Sequence, residues 1–278
     1  MITLDKRLRC AQTARDDELW NLVRDPHPEV VLQATLNRHL TEQMAVFIAK
    51  RRNVSAEVLG VLANDARFRD SYTLKLLLCK NPKTPQRIAF SLVKFLRIFD
   101  LGDLTRDQTI PIIVRQKIEL LLAEKIPALP SGVKSALARR SNSTVVLSLM
   151  ERGDRHVVAT CLDSAVITEG QLCALVHLST TRPIMIRLIS EHPKWSRRYA
   201  IRYALIRNFH TPMAQVTRFI AEMKTNDLKE LYSYESLPNA TRPYIYSELK
   251  ERGETAELLR DKVFELSEDD EEDNAMTP

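Results

Sequence analysis

The chain has little of what several large fold classes require. Only six of its 278 residues are glycine, and 6% are aromatic. So few glycines argue against a glycine-rich nucleotide-binding fold and against a β-sandwich with many tight turns. The sequence contains no run of about 18 apolar residues, so we expect no membrane-spanning helix. With 44% hydrophobic residues, it can still bury one large core or two small ones.

The cysteines form no Cys-x-x-Cys pair and have no regular spacing. They stand at Cys10, Cys79, Cys161 and Cys173. The first ten residues, MITLDKRLRC, are already charged and contain no apolar stretch typical of a signal peptide. We therefore predict reduced, unreactive thiols in a cytoplasmic protein.

Motifs that carry chemistry are also missing. The six histidines are dispersed, and none has the spacing of a metal site. The sequence has neither a glycine-rich phosphate loop nor a Gly-x-Ser-x-Gly nucleophile motif. These absences predict a protein that is not an enzyme and that binds no metal and no small-molecule cofactor.

Charge is distributed unevenly along the chain. The formal net charge is +5, but the segment Glu265–Asp273 holds seven acidic residues and no basic one. Without those seven acids the formal charge is +12. Such a basic body can favour nucleic acid, an anionic membrane surface or an acidic protein, or it can simply be a well-solvated surface.

Short turn-like clusters recur along the chain at nearly constant intervals. Their marker residues are 43, 43, 41 and 43 positions apart: Thr41, Thr84, Pro127, Thr168 and Thr211. Threonine can cap the free amides of a helix, and proline fits the first helical turn because it has no N–H to satisfy there. Each marker is therefore predicted to begin a helix.

Apolar residues follow four of these markers with the period of a helix, for example Val216, Ile220 and Met223 after Thr211. Alternating strand patterns are scarce, and no Asn-Gly or Asp-Gly turn is present. A helix pair of about 40 residues cannot bury its apolar face alone, so neighbouring pairs must stack. We predict an all-α fold, a right-handed α-solenoid of about five to six repeats, with an irregular helical bundle as the alternative.

Several segments resemble the repeats of bacterial HEAT-like proteins, including the leucine-rich-repeat variant. They are Asp25–Val30, Asn81–Pro85, Leu104–Ile118 and Pro193–Leu205. The resemblance covers about residues 15 to 250 and implies a binding scaffold, but it transfers no functional residue. Some members of the variant class hold an iron–sulfur cluster on clustered cysteines, and this chain lacks such a group.

The predicted domain organisation is a HEAT-like α-solenoid over residues 1–266 and a disordered acidic tail over residues 267–278. The amphipathic stretch Thr255–Leu266 is expected to cap the array, because its charged residues can supply the polar outer face that a terminal repeat needs. The tail is acidic and nearly free of apolar side chains, which is typical of disorder.

One local concentration of basic residues lies between Arg187 and Arg207. The candidate partner-binding residues in it are Arg187, Lys194, Trp195, Arg197, Arg198 and Arg202. Guanidinium groups suit phosphates or carboxylates, and the aromatic series Trp195, Tyr199, Tyr203 can offer stacking surfaces. The alternative is that the aromatic residues pack between repeats while the arginines form a solvated face.

The segment Trp195–Arg198 also resembles, faintly, a Trp-x-Arg-Arg segment of the DNA glycosylase branch of HEAT-like proteins. That class requires a catalytic aspartate accompanied by an upstream tryptophan. Asp163 is the only acidic residue at a comparable distance, and the second tryptophan of the chain, Trp20, is far from it in sequence. This departure counts against base excision.

The leading functional prediction is a non-catalytic protein–protein interaction scaffold that binds a protein partner, for instance an acidic segment, on its concave face. The alternatives are a nucleic-acid-binding HEAT-like protein and, third, a DNA glycosylase of the HEAT-like class. Binding that weakens steeply with salt would favour nucleic acid.

Overall fold

The computed structural model describes residues 3–254, which fold into α-helices joined by short connections. Eighteen α-helices, two 3₁₀-helices and no β-strand occur within this range. The α-helices are α1 (Leu4–Thr13), α2 (Asp16–Val23), α3 (Pro28–Leu36), α4 (Glu42–Lys50), α5 (Ala56–Asn64), α6 (Tyr72–Lys80), α7 (Gln86–Val93), α8 (Ile98–Arg106), α9 (Ile112–Lys125), α10 (Ser131–Ala138), α11 (Ser143–Arg152), α12 (Arg155–Leu162), α13 (Glu169–His177), α14 (Pro183–Glu191), α15 (Tyr199–Ile206), α16 (Met213–Ala221), α17 (Thr225–Ser233) and α18 (Arg242–Glu251). The 3₁₀-helices are Ala66–Phe68 and Ile126–Ala128. The predicted all-α class is confirmed for this part of the chain.

The chain divides into two compact units, Met1–Ile167 and Thr168–Pro278. In the first unit, helices pack against neighbours one or two positions away along the chain: α3 contacts α1, α2 and α5, and α9 contacts α7, α8 and α11. In the second unit, α15 contacts α13, α14 and α16, while α18 contacts α16 and α17. The predicted cap Thr255–Leu266 and the predicted tail 267–278 lie outside the described residues.

The predicted helix starts are confirmed at four of the five markers, to within one residue. Thr41 and Thr168 are the N-cap residues of α4 and α13, and each hydroxyl accepts a hydrogen bond from a backbone N–H of the first turn. Thr84 and Thr211 stand one residue before the N-caps of α7 and α16, which are prolines. The prediction is wrong at Pro127, which lies inside a 3₁₀-helix.

Helix starts repeat along the chain at a constant offset of 127 residues. The helices α1 to α8 begin at residues 4, 16, 28, 42, 56, 72, 86 and 98, and α10 to α17 begin at 131, 143, 155, 169, 183, 199, 213 and 225. Only the ninth pair departs, because α9 begins at Ile112 and α18 at Arg242. Residues 3–127 and 130–254 are therefore two halves with one helical frame, and we call residues 127 positions apart sister residues.

Buried apolar residues occupy the same positions in both halves. Ile118 and Ile245 are sister residues, and both are 0% exposed. The same exposure holds for Leu122 and its sister Leu249. Burying such side chains stabilises the fold by about 1.5–3 kcal/mol each. The two halves therefore place equivalent core residues at equivalent points of their helical frame.

Asparagine side chains after α6 and α15 form hydrogen bonds to the helix two positions earlier along the chain. The last carbonyl groups of an α-helix lack partners within the helix. The Nδ2 group of Asn81, after α6, donates to the carbonyls of Ala49 and Arg51 at the end of α4, both at 2.9 Å. Its sister Asn208, after α15, donates to the carbonyl of Val176 in α13 at 2.7 Å. These amides satisfy carbonyls that packing would otherwise leave unpaired.

One pair of sister residues marks a difference in how the halves continue. A Cβ atom on Gly102 in α8 would lie 2.7 Å from Leu137 Cδ1 and 2.9 Å from Ser141 Oγ, so glycine lets α8 and α10 pack closely. The sister residue in α17 is Lys229, whose Nζ lies 2.6 Å from Glu254 Oε2. A small buried residue in the first half is therefore replaced by a charged pair in the second.

Candidate functional site

Three of the predicted site residues lie exposed in the connection between α14 and α15, residues 192–198. They are Lys194, Arg197 and Arg198. Within residues 3–254, none of the three is paired with an acidic side chain. Three uncompensated positive charges therefore stand within five consecutive residues.

Backbone hydrogen bonds fix the shape of the 192–198 connection. The N–H of Lys194 donates to Nδ1 of His192 at 3.2 Å, and the N–H of Ser196 donates to the carbonyl of His192 at 2.9 Å. The N–H of Arg198 donates to the carbonyl of Trp195 at 3.0 Å. The exposed cations are consequently carried by an ordered turn, which lowers the entropy that a bound ligand must remove.

Trp195 holds this connection against the body of the second unit. Its side chain is 3% exposed, so the indole ring is part of the core. The Nζ atom of Lys194 lies 4.0 Å from the ring centroid. The ring thus anchors the connection and orients Lys194 by a cation–π contact, but it offers no open face for stacking.

Arg202 also has a structural role. Its Nη1 atom lies 2.5 Å from Glu222 Oε2, and its Nε donates to the carbonyl of Ser196 at 2.7 Å. The side chain is only 14% exposed. Arg202 therefore ties the 192–198 connection to the end of α16, and its charge is compensated within the protein.

Arg187 differs from the other exposed cations because it forms an ion pair with Glu191. It lies on α14, where its Nε donates to Glu191 Oε1 at 2.9 Å, one helical turn away. The Arg187 side chain is 62% exposed, so the pair is weak, on the order of 0.3–0.5 kcal/mol, and opens at little cost.

The tyrosines of the predicted aromatic series connect α15 to α17. The hydroxyl of Tyr199 donates to Asp227 and accepts from the N–H of Lys224 at 3.1 Å. Burial, together with the hydrogen bond to Asp227, raises the pKa of Tyr199. Tyr203 has its pKa raised by burial and by a hydrogen bond to Glu230. Both phenols are thus engaged by carboxylates of α17.

The same arrangement exists at the sister positions of the first half. The hydroxyl of Tyr72 donates to Asp100 and accepts from the N–H of Arg97 at 3.1 Å. Phe68, the sister of Trp195, is 7% exposed, and the Arg67 guanidinium lies 5.1 Å from its ring centroid, as Lys194 lies over Trp195. The tyrosine latch and the aromatic anchor are therefore parts of the frame that both halves share.

The exposed arginines do not belong to that shared frame. Arg187, Arg197 and Arg198 have as sisters Gly60, Asp70 and Ser71, in that order. A Cβ atom on Gly60 would meet only Ile88 Cδ1, at an ordinary 3.8 Å. The helical frame therefore tolerates small, acidic or hydroxyl side chains where the second half has arginine.

Arg198 is present at a cost to helix α15. Its sister Ser71 is the N-cap of α6, and the serine hydroxyl accepts from the N–H of Leu74 at 3.2 Å. Arg198 is the N-cap of α15 and makes no side-chain cap. Losing such a cap costs about 1 kcal/mol, and a cation is disfavoured beside the positive end of the helix dipole.

A second group of exposed side chains lies at the ends of α15 and α17. The guanidinium of Arg207 is 3.8 Å from the ring centroid of Tyr234, and nearby Phe209 is 68% exposed. Burial, followed by the charge of Arg207, lowers the pKa of His177. Because Arg207 is covered by an aromatic ring, this group is less open to an anion than the 192–198 connection.

The residues that suggested a glycosylase have structural contacts of their own. The ring of Trp20 packs edge-on against Phe47, with centroids 5.7 Å apart, and carries the Arg24 guanidinium at 5.3 Å. Asp163 is the C-cap residue of α12. Trp20 lines a surface pocket with Asp16, Asp17 and Thr41, and Asp163 is not among the residues of that pocket.

Metal and thiol chemistry are not indicated in the part of the chain that the structure describes. No group of three or more His, Cys, Asp or Glu side chains in residues 3–254 is arranged to hold a metal ion. Burial raises the pKa of both Cys79 and Cys161 to about 12, so these thiols stay protonated at neutral pH. None of the helices in that range combines the length and the apolarity that crossing a bilayer requires.

Sequence reasoning found the exposed cations but could not separate them from the structural ones. The comparison of sister residues separates part of them, since the buried anchor Trp195 has the similar Phe68 as its sister, whereas the exposed Arg197 and Arg198 have Asp70 and Ser71. Comparison of the chain with family models, with curated proteins and with solved structures found no match.

Proposed function

We propose that this protein is a non-catalytic scaffold, a right-handed HEAT-like α-solenoid of about five to six repeats that binds an acidic segment of a partner protein on its concave face. Each interval between the predicted markers contains three helices, and packing between helices one or two positions apart is what a stack of repeats requires.

The observation that carries the proposal is the exchange of side chains between the halves. At equivalent points of one frame, Asp70 and Ser71 are replaced by Arg197 and Arg198. The exchange removes a helix cap and adds two cations that have no acidic partner within residues 3–254. A change that lowers stability and is not needed for folding is expected where a surface is used for binding.

The chemistry of the surface favours a carboxylate-bearing peptide over nucleic acid. Single-stranded nucleic acids bind through a basic groove together with aromatic rings on which the bases stack. The ring nearest the cations, Trp195, is buried. The Tyr199 ring is 36% exposed, but its hydroxyl is held by Asp227 and Lys224 Nζ lies 5.6 Å from its centroid. Guanidinium groups suit the carboxylates of Asp and Glu side chains.

The test is a binding measurement with the full chain and a fluorescent, unstructured 20-residue peptide carrying six Asp or Glu residues. The variant Arg197→Asp/Arg198→Ser places the sister residues of the first half in the second. Since exposed ion pairs contribute about 0.2–1 kcal/mol each and Asp adds repulsion, we expect roughly tenfold weaker binding by fluorescence anisotropy.

The same experiment has a matched control and a stability readout. Arg218→Asp reverses an exposed cation of α16, as Arg197→Asp does in the connection, and should leave the affinity unchanged. Arg198→Ser alone should raise the free energy of unfolding by about 1 kcal/mol, because serine restores the cap. Equal peptide binding by wild type and the double variant, or tighter binding of duplex DNA or RNA of equal charge, would contradict the proposal.

A further inference from the structure

We propose that, in the free protein, the acidic run Glu265–Asp273 of the same chain occupies the 192–198 connection, so that an external acidic partner must displace it. This inference rests on the proposed function, because it names a second ligand for the same surface. The run contains seven acids in nine positions. The 192–198 connection presents three cations that have no acidic partner within residues 3–254: Lys194, Arg197 and Arg198.

The end of the described chain lies beside residues 221–225, which join α16 to α17. At the end of α18, Nη1 of Arg252 donates to the carbonyl of Met223 at 2.7 Å and to Thr225 Oγ1 at 3.3 Å. Nη2 of the same residue donates to the carbonyl of Ala221 at 3.1 Å. The last turn of α18 is thereby fixed against residues 221–225, between α16 and α17.

Residues 221–225 in turn contact α15, the helix that follows the 192–198 connection. Glu222 forms the ion pair with Arg202, and Arg202 donates to the carbonyl of Ser196 inside the 192–198 connection. The N–H of Lys224 donates to the hydroxyl of Tyr199, the residue that follows Arg198. The last turn of α18 is therefore linked through residues 221–225 to α15 and to the connection that carries the exposed cations.

The chain after α18 provides a tether between Glu254 and the acidic run. Ten residues, 255–264, stand between Glu254 and the first acid of the run, and ten residues can span up to about 33 Å. A tethered ligand of this kind has an effective concentration of about millimolar, so weak ion pairs suffice to hold it. Opposite charges and a short tether together specify the occupant.

The test uses zero-length cross-linking with a carbodiimide, which joins a lysine amine to a carboxylate that contacts it. In the full chain we expect a cross-linked peptide between Lys194 and the run Glu265–Asp273, identified by mass spectrometry. Its yield should fall several-fold in 1 M salt, where the Debye length is about 3 Å. It should fall similarly in Arg197→Asp/Arg198→Ser, whereas Arg218→Asp should leave it unchanged.

Mixing unlabelled with ¹⁵N-labelled chains separates the two possible sources of the carboxylate. A cross-link within one isotope class supports the proposal. Mixed-isotope products, or cross-links of the run to Lys250 with none to Lys194, would overturn it.

A second variant distinguishes this inference from the proposed function. Replacing the acids of residues 268–273 by their amides leaves the chain length unchanged and should tighten binding of the added acidic peptide about tenfold. If the peptide binds wild type and the amide variant equally, the tail does not compete and the inference fails while the proposed function stands. If the cross-link forms but the amide variant binds no peptide, only the proposed function fails.

Discussion

Residues 3–127 and residues 130–254 have the same formal charge but distribute it differently. The first half contains 21 Lys and Arg against 15 Asp and Glu, and the second contains 18 against 12, so each is +6. In the first half, the segment equivalent to the basic surface also carries Asp65 and Asp70, and Asp65 is paired with Arg67 at 2.6 Å. In the second half, the same segment exposes cations that no acid compensates.

The difference shows which residues a helical frame constrains and which it leaves free. Sister residues agree at many buried or hydrogen-bonded positions, as at Ile118 and Ile245 or at Asn81 and Asn208. They diverge where side chains are exposed, as at Asp70 and Arg197. Each half therefore serves as a control for the other, and a substitution can be designed by copying the sister residue.

The largest effect is expected from removing the core residue that both halves share. Ile118→Ala and Ile245→Ala should each lower the free energy of unfolding by about 2–5 kcal/mol, because both side chains are fully buried. The loss should be greater at Ile118, because α9 packs against three α-helices, α7, α8 and α11. Within residues 3–254, α18 packs mainly against two, α16 and α17.

Urea unfolding followed by circular dichroism measures both losses. The corresponding Ile→Val variants, expected to lose about 0.5–1.5 kcal/mol, provide the matched control. A loss below about 1 kcal/mol at either alanine variant would mean that Ile118 and Ile245 are not equivalent core residues of the two halves.

A smaller, asymmetric effect is expected from exchanging Gly102 and its sister residue Lys229. Gly102→Lys should destabilise the first unit by about 1–3 kcal/mol, because its Cβ would overlap Leu137 and Ser141. The reverse exchange, Lys229→Gly, should cost only about 1 kcal/mol, the loss of helix propensity. Thermal unfolding of the two variants gives the comparison, and equal shifts in Tm would show that the close approach at Gly102 is unimportant.

The smallest effect is expected from the tyrosine latches, and it depends on pH. Burial, with the hydrogen bonds to Asp100 and Asp227, raises the pKa of Tyr72 and Tyr199 in the folded protein. Above about pH 10, the unfolded chain loses these protons more readily than the folded one, so stability should decrease as the pH rises through that range.

Tyr72→Phe and Tyr199→Phe should each cost about 0.5–1.5 kcal/mol at pH 8 and reduce the decrease in stability between pH 9 and 11. Urea midpoints across that pH range check both parts. An unchanged pH slope in both variants would show that other groups cause the alkaline sensitivity.

Much of the secondary structure could be predicted from the sequence, because local capping chemistry decides where helices begin. Thr41 and Thr168 carry their own cap in the side chain, and the prolines after Thr84 and Thr211 are compatible with a helix start. Pro127 misled the prediction because proline also fits a 3₁₀-helix. The period in the markers sums to the 127-residue offset between the halves.

The candidate site was predictable only in part, since burial depends on partners distant in sequence. Trp195 and Arg202 stand in the same basic and aromatic stretch of sequence as Arg197 and Arg198. In the structure, however, Trp195 is in the core and Arg202 is held by Glu222. The role of Asn81 was equally hidden, because its amide reaches Ala49, 32 residues earlier. Such roles appear only when helices are in place beside one another.

The exchange of Gly102 for Lys229 also bears on where a further helix can dock. At Gly102 the backbone admits α10, whereas at Lys229 an approaching helix would have to strip water from the amine and from its partner Glu254. That dehydration costs several kcal/mol per ion even after relaxation. The same point of the helical frame is therefore a packed joint in one half and a charged position that disfavours apolar docking in the other.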